Sequence, residues 1–190
     1  MKPKASLTFL PAASGMVLLV LSLSLVVLKA SGRPGEGVAE NLRAKAATSD
    51  VVLALSPQSQ TVEFTPNTSY VEGITLDSGG KKVKAVDVII SYNPEQISIE
   101  PQVAVGTLLE HYPLSRVDQK LGKIKISAIN FTAKPALGIF ATFRFKAKTI
   151  GQSQIAFDFI PGEKLDSNVV DFESDQDVLT KVQNASLTFK

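Results

Sequence analysis

The sequence contains no cysteine, no tryptophan and a single histidine among its 190 residues. Without cysteine the protein cannot form disulfide bonds, thiolate metal sites or a cysteine nucleophile. The one histidine, His111, cannot build a zinc site without further nitrogen or sulfur ligands. Because it stands beside Tyr112 and Pro113, His111 is predicted to lie on the surface of a loop.

Sequence signals for catalysis are equally scarce. A Ser-His-Asp triad would have to use His111, and the sequence contains no strand-to-helix nucleophile elbow. No two acidic residues stand out as the carboxylate pair of a glycosidase. We therefore predict a protein that is not an enzyme, with no catalytic residues, no cofactor and no bound metal.

The chain also lacks a concentration of basic charge on its predicted folded part. Of its 20 Lys and Arg residues and 18 Asp and Glu residues, six basic and two acidic ones lie within residues 1–48. Residues 49–190 therefore hold 14 basic and 16 acidic side chains, a net charge of −2, although the whole chain carries +2. A nucleic-acid partner requires clustered Lys and Arg on the folded surface, so none is predicted.

The N-terminal segment has the composition of an export signal. Residues 5–28 contain no charged side chain, and residues 16–28 are almost wholly aliphatic. Such a segment is either a cleaved signal peptide or a retained anchor that crosses the membrane through residues 7–28. We assign residues 1–30 to this signal or anchor, residues 31–48 to a linker and residues 49–190 to a domain outside the cytoplasm.

Residues 85–92 give the clearest secondary-structure signal in the chain. Apolar side chains occupy every second position: Val86, Val88, Ile90 and Tyr92. This period of two is typical of a strand with one buried face, so these four side chains are predicted to point into the core. Asn93-Pro94 ends the strand because proline has no N–H group, and residues 96–99 resume the extended pattern.

Similar short runs, separated by turn residues, continue through residues 49–190. They predict about nine short strands and an all-β fold, with no amphipathic helix after residue 48. Residues 77–80 (DSGG) are predicted to form a turn, and residues 111–113 part of a loop. The further strands are expected at residues 51–55, 61–65, 69–76, 103–109, 122–130, 138–148, 153–159 and 185–189.

The order of these motifs resembles the cohesin family. Cohesins contain a strand of the form D-hydrophobic-x-hydrophobic-x-Y-D/N-P, and residues 87–94 here read DVIISYNP. Asn93 stands where Asp is commoner in the family. The other matching stretches follow in the family's order: VAVGTLL at 103–109, GIFATFRFKA at 138–147, a Gly and short strand at 151–159, DSNV at 166–169 and ASLT at 185–188.

This resemblance, which covers roughly residues 49–190, implies both a fold and a function. The fold would be a nine-stranded jelly-roll β-sandwich related to cellulose-binding and other carbohydrate-binding modules. Family members do no chemistry; they bind dockerins, small calcium-loaded modules often attached to polysaccharide-degrading enzymes. The resemblance thus implies a non-catalytic, exported module that binds a dockerin-bearing partner at the cell surface.

Asp87 is the leading candidate for a binding residue. It points away from the apolar face of its strand, and the resemblance implies that it forms hydrogen bonds on the dockerin-facing sheet. If residues 122–130 and 138–148 lie in the same sheet, their outward side chains share this face, together with the exposed Ile129. The predicted partner-binding residues are Asp87, Ile89, Lys125, Ser127, Thr142 and Arg144. A flat polar face with an apolar centre suits protein recognition, whereas without a partner it is a solvated sheet.

Residues 171–177 form an acidic segment that raises the question of calcium binding. Carboxylates recur at every second position: Asp171, Glu173, Asp175 and Asp177. The calcium loop of helix–loop–helix proteins needs Gly at its sixth position and a carboxylate at its twelfth, where Gln176 and Val182 stand here. A solvated acidic loop is therefore the favoured interpretation, with calcium as the alternative.

Two other functions remain open for such a domain. A carbohydrate-binding module of the same architecture would need an aromatic platform, and the absence of tryptophan and the presence of only three tyrosines count against binding to polysaccharide. A structural or adhesive subunit could associate with copies of itself through an exposed sheet edge.

Overall fold

The computed structural model describes residues 50–190, which form ten β-strands and no helix. The strands are β1 (Val52–Ser56), β2 (Ser59–Val62), β3 (Tyr70–Tyr92), β4 (Ile97–Val105), β5 (His111–Asp118), β6 (Lys123–Ala147), β7 (Gly151–Phe157), β8 (Asn168–Asp171), β9 (Lys181–Gln183) and β10 (Ala185–Phe189). Within these residues there is accordingly no helix with the length and apolar character needed to span a membrane. The predicted signal or anchor at residues 7–28 and the linker at residues 31–48 lie outside the described residues.

The prediction of an all-β fold is confirmed for residues 50–190, but several predicted boundaries are wrong. Residues 77–80 lie within β3 and do not separate two strands. The strands predicted at 122–130 and 138–148 belong to the single 25-residue strand β6. Residues 111–113, predicted as a loop, begin β5, and neither β8 nor β9 was predicted.

Strands β3 and β6 pair antiparallel along most of their lengths and connect the whole structure. Register shifts divide the ladder into two parts, the longest lying between Asp77 and Lys82. Residues 82–91 of β3 pair with residues 123–135 of β6, and residues 70–77 of β3 pair with residues 137–145 of β6. Each strand thus contributes to two separate sections of sheet.

We call these sections the front sheet and the rear sheet. The front sheet contains residues 82–92 of β3 and 123–135 of β6, flanked by β8 and β5. The rear sheet contains residues 70–77 of β3 and 137–147 of β6, flanked by β1 with β9 and by β4. Strand β7 pairs with β3 at residues 90–92 and extends the assembly through β10 to β2.

One hydrophobic core draws side chains from both sheets. The alternation predicted for residues 85–92 is confirmed: Val86, Val88, Ile90 and Tyr92 are buried, and Asp87 and Ile89 are only partly buried on the opposite face. The largest fully buried side chains include Phe140, Phe143, Phe145 and Phe189.

A bulge at Phe140 changes which positions of β6 face the core. Ile74 pairs with Ala141 and Thr75 with Ile139, so Phe140 is the extra residue. Both Phe140 and Ala141 are buried. Before the bulge the even-numbered residues of β6 are buried, as at Ile124, whereas after it the odd-numbered ones are, as at Phe143.

The core also encloses one acidic side chain, Glu72, whose exposed fraction is 0%. Its Oε2 accepts a hydrogen bond of 3.1 Å from Nε2 of Gln60, while its Oε1 is buried without a partner. Burial raises the pKa of Glu72 from 4.5 to about 7, although hydrogen bonds from Ser56 and Gln60 oppose the shift. The fold therefore favours the protonated carboxyl group.

We predict that Glu72 makes the domain less stable as the pH rises. Because its pKa is higher in the folded than in the unfolded state, the free energy of unfolding falls between pH 4.5 and about 7. The total loss from this group is about 3 kcal/mol at roughly 1.4 kcal/mol per pKa unit. In urea unfolding, Glu72→Gln removes this component, so the stability difference from wild type changes with pH across this window. Parallel pH profiles for the two proteins would contradict the assignment.

Gly122 fixes the turn between β5 and β6, and we predict that it tolerates no side chain. Its φ is +62°, and a Cβ atom there would lie 2.3 Å from the Tyr92 carbonyl oxygen and 2.9 Å from Cδ of Pro94. Gly80 is the matched control, since its φ is +82° but nothing lies within 4 Å. Both alanine variants carry backbone strain, but Gly122→Ala should lose about 2 kcal/mol more in urea unfolding because of overpacking. Equal losses would show that the close approach is unimportant.

Candidate functional site

The outer face of the front sheet brings together side chains from four strands. Asp87 of β3 is directly opposite Ser127 of β6 on one side and Asn168 of β8 on the other. Ser127 is in turn opposite Leu114 of β5. Directly paired residues of antiparallel strands share a face, so these four side chains form one row across the sheet.

A second row lies one step along the same strands. Lys125 of β6 is opposite Ile89 of β3 and opposite Arg116 of β5. We call the two rows together the front surface: Asn168, Asp87, Ser127 and Leu114 in the first, and Ile89, Lys125 and Arg116 in the second. It combines one carboxylate, two cations and a hydroxyl with the apolar side chains of Ile89 and Leu114, whereas the side chain of Asn168 is buried.

Four of the six predicted site residues lie on this surface, and two do not. Thr142 and Arg144 pair with Gly73 and Val71 in the rear sheet. They line a different depression, of about 590 Å³, beside the irregular segment of β4 at Glu100. The reason is that β6 passes from the front sheet to the rear sheet before it reaches these residues.

Sequence reasoning missed the contribution of β5 and β8. Leu114 and Arg116 were not predicted as site residues because residues 111–113 were interpreted as a loop. Asn168 was not predicted because β8 has only four residues. Residues 114–117 show no alternation of apolar and polar side chains, because Leu114 and Arg116 share one face and Ser115 and Val117 the other. Pro113, which removes a backbone donor, further argued against a strand.

Asp87 is held in place by its neighbour in the row. Its Oδ1 accepts a hydrogen bond from Oγ of Ser127. Asp87, Ile89, Leu114, Lys125 and Ser127 line a depression of about 260 Å³ together with residues 164–166. This volume lies below the range of about 300–1,000 Å³ typical of small-molecule sites, so the geometry suits a broad contact better than an enclosed ligand.

The backbone beneath the front surface is fixed at Ile89, between the segments of β3 that pair with β7 and β8. Oγ of Ser167 accepts a hydrogen bond from the Ile89 N–H at 2.9 Å and donates one to the Ile89 carbonyl at 3.0 Å. The N–H of Asp158 donates to the same carbonyl at 2.8 Å. Ile89 lies between the part of β3 that pairs with β8 and the part that pairs with β7. These hydrogen bonds hold its backbone there and keep the surface rigid.

An ion pair closes one end of the surface. Nζ of Lys123 contacts Oδ2 of Asp158 and donates a hydrogen bond of 2.7 Å to Oγ of Ser91, which itself donates to Asp158. All three side chains are partly buried, and those of Lys123 and Asp158 are 34% and 32% exposed. The network ties β3, β6 and the segment after β7 together.

His111 is exposed and pairs with Ile129 at the edge of the front sheet. Its surface position is as predicted, although it stands on a strand and not on a loop.

The acidic segment at residues 171–177 uses its carboxylates in local contacts. Glu173 and Asp175 form ion pairs with Lys82 and Lys84 of β3. A hydrogen bond from the Ser174 hydroxyl, aided by two backbone N–H groups, lowers the pKa of Asp171. Oδ1 of Asp177 accepts from the N–H groups of residues 169 and 179. Among residues 50–190, no cluster of three or more His, Asp or Glu could hold a metal ion.

We predict that calcium does not stabilise the domain. The carboxylates of residues 171–177 already have cationic or N–H partners, so a metal ion would have to displace them. Thermal unfolding should give the same Tm in millimolar calcium and in excess chelator, with magnesium as the control for ionic strength. A saturable, calcium-specific rise in Tm that Asp175→Asn removes would show that the segment is a calcium site.

Comparison with known proteins shows the fold of the domain. No protein-family model matches this sequence, and neither does any curated protein sequence. Solved cohesin structures do match. A type III cohesin from the ScaE cell-surface anchoring scaffoldin of Ruminococcus flavefaciens has a TM-score of 0.61 at 13% identity, covering 79% of this chain and 93% of that one.

Two further structures agree with this match. The sixth cohesin of Acetivibrio cellulolyticus scaffoldin B, solved with the Cel5 dockerin, has a TM-score of 0.57 at 18% identity, covering 75% of this chain and 100% of that one. CaCohA2 of Clostridium acetobutylicum has a TM-score of 0.58 at 21% identity, covering 75% and 92%. The resemblance found in the sequence is therefore confirmed at the level of fold: the chain contains a cohesin-like domain.

Proposed function

We propose that this chain is a non-catalytic docking module whose front surface binds a dockerin-like module of a partner protein. The observation that carries the proposal is the front surface itself, an open four-strand face on a cohesin-like fold. Asp87 and Ser127 lie at its centre, joined by a hydrogen bond and flanked by Ile89 and Leu114. Flat surfaces with partly apolar centres and polar surroundings are typical of protein interfaces.

The rigidity of the surface supports binding without rearrangement. The hydrogen bonds of Ser167 to both backbone groups of Ile89 hold the edge of the sheet, and the Lys123–Asp158 ion pair holds its end. A preformed surface loses little conformational entropy when a partner docks, which favours affinity. Side chains at alternate strand positions would then select the partner.

The same proposal includes the location of the module in the cell and the nature of its partner. Residues 7–28 would anchor the chain in the membrane, or direct its export before cleavage, and residues 31–48 would hold the domain away from the membrane. The domain would adopt the nine-stranded jelly-roll arrangement of cohesins, and one of the ten strands in residues 50–190 would be an addition to that arrangement. The partner would carry an enzyme, and the resemblance to cohesins favours one that degrades polysaccharide.

Binding of carbohydrate by the domain itself is less well supported. All three tyrosine rings are engaged: Tyr92 is buried, Tyr70 packs on Phe145, and Tyr112 packs on Phe140. Among the exposed large hydrophobic side chains of residues 50–190, Phe131 is the only aromatic one. A single ring does not form the platform on which sugar rings stack.

Self-association through an exposed strand is also disfavoured at one edge. Among residues 50–190, strand β5 has no hydrogen-bonded neighbour besides β6, so its other side could accept another strand. It carries Pro113 and the exposed Arg116, two features that oppose the addition of another strand.

A binding measurement tests the proposal. The full chain should bind at least one calcium-loaded dockerin encoded in the same genome with nanomolar to micromolar affinity, measured by titration calorimetry. Asp87→Ala should weaken binding tenfold or more, since a lost hydrogen bond to a charged group is worth about 1.5–3 kcal/mol. Thr142→Ala, in the rear sheet, is the matched control and should leave affinity unchanged.

The measurement tests the binding of a dockerin and the location of the binding surface separately. If no dockerin from that genome binds, the proposed function is wrong. If a dockerin binds but Asp87→Ala has full affinity and Thr142→Ala does not, the function stands and the assigned surface is wrong.

A further inference from the structure

The front surface carries an unusual pairing of like charges. Arg116 and Lys125 are directly opposite each other on neighbouring strands, so their side chains share the outer face. Like charges in this position destabilise an antiparallel pair. The arrangement therefore costs the isolated domain stability, and an anion placed between the two cations would remove that cost.

Neither cation is neutralised within the domain. Among residues 50–190, Lys125 forms no hydrogen bond or ion pair, and it is exposed. Within the same described residues, the one ionic contact of Arg116 is 4.0 Å from Oδ2 of Asp118, and 72% of its side chain is exposed. The other oxygen of Asp118 accepts hydrogen bonds from the N–H groups of residues 120 and 121 in the β5–β6 turn.

The nearby carboxylates, in contrast, are engaged. Asp158 is paired with Lys123, Asp87 accepts from Ser127, and Asp166 accepts from the N–H of Ile160. Arg116 and Lys125 are consequently the charged groups of this surface with the least neutralisation, while Asp87 keeps its second carboxylate oxygen for a partner. This holds even though residues 49–190 carry a net charge of −2.

An apolar side chain adjoins the two cations. Arg116, Lys125 and Leu121 line a depression of about 200 Å³, together with Asp118 and Lys123. Leu121 is 68% exposed, at the tip of the β5–β6 turn. A complementary surface would thus present a carboxylate beside an aliphatic side chain.

From this geometry we infer that the partner docks with an acidic surface, placing one or more carboxylates of a protein against the Arg116–Lys125 pair and an apolar side chain against Leu121. The inference rests on the proposed function, whose binding surface it characterises. A protein fits better than a nucleic acid, because two open cations do not form the extended basic footprint that a phosphate backbone requires. Complementary charges would speed association and make it sensitive to salt.

The main test uses the dockerin that binds the full chain. The double variant Arg116→Glu/Lys125→Glu should reduce the association rate constant tenfold or more at low salt, and this difference should shrink at high salt. The control Lys146→Glu/Lys181→Glu makes the same charge change in the rear sheet and should bind as wild type. The double variant replaces one like-charge pair by another, so its Tm should match that of wild type, and an unchanged Tm excludes unfolding as the cause of lost binding.

A second measurement does not depend on dockerins. A short peptide of Glu and Leu should shift the NMR signals of residues 116, 121 and 125 in the isotope-labelled full chain, and the same peptide with Gln in place of Glu should not. Equal shifts with both peptides, or stronger shifts with a single-stranded oligonucleotide, would overturn the inference. So would full dockerin affinity in the charge-reversal variant. Failure of every dockerin to bind, with the acidic peptide still selective, would instead contradict only the proposed function.

Discussion

The antiparallel pairing of β3 with β6 is the interaction on which the rest of the structure depends. These strands contribute to both sheets, and every other part of the domain attaches to one of them directly or through a neighbour. For the fold, the register shifts in this ladder are as important as its hydrogen bonds. The shifts near residues 77–82 and at Phe140 let continuous strands serve two sheets that enclose one core.

The same pairing determines which side chains can act together. Because Asp87 is opposite Ser127 and Ile89 is opposite Lys125, the front surface follows from the register of the ladder. A slip of one residue would turn these side chains toward the core and expose Val88 and Ile126. The bonds of Ser167 to Ile89 and the fit of Gly122 under Tyr92 restrict such a slip. The composition of the front surface thus depends on strand register as much as on side-chain chemistry.

Much of this arrangement could be predicted from local sequence pattern. Alternation correctly identified the buried face of residues 85–92, including Tyr92. Alternation cannot reveal which sheet a strand enters, because it records only which side chains are buried. Thr142 and Arg144 were therefore grouped with Asp87, although the crossing of β6 places them in the rear sheet. Residues 77–80 have turn composition, yet the pairing of β3 with β6 incorporates them into a strand.

Structural comparison and charge give complementary information about function. The cohesin-like fold is the basis of the proposed docking role, whereas the side chains of the front surface are the basis of the proposed selectivity. The paired cations on β5 and β6 were invisible before the register was known, since Arg116 and Lys125 are nine positions apart in the sequence. They distinguish this surface from a neutral face on the same fold.

The central claim is that the front sheet, and not the rear sheet, holds a protein partner. The most direct measurement is NMR mapping of the isotope-labelled full chain saturated with a calcium-loaded dockerin that binds it. Our account predicts that the largest chemical-shift changes occur at Asp87, Ile89, Lys125 and Ser127, with little change at Val71 and Thr142. Large changes at Val71 and Thr142 with an unperturbed front surface would contradict it.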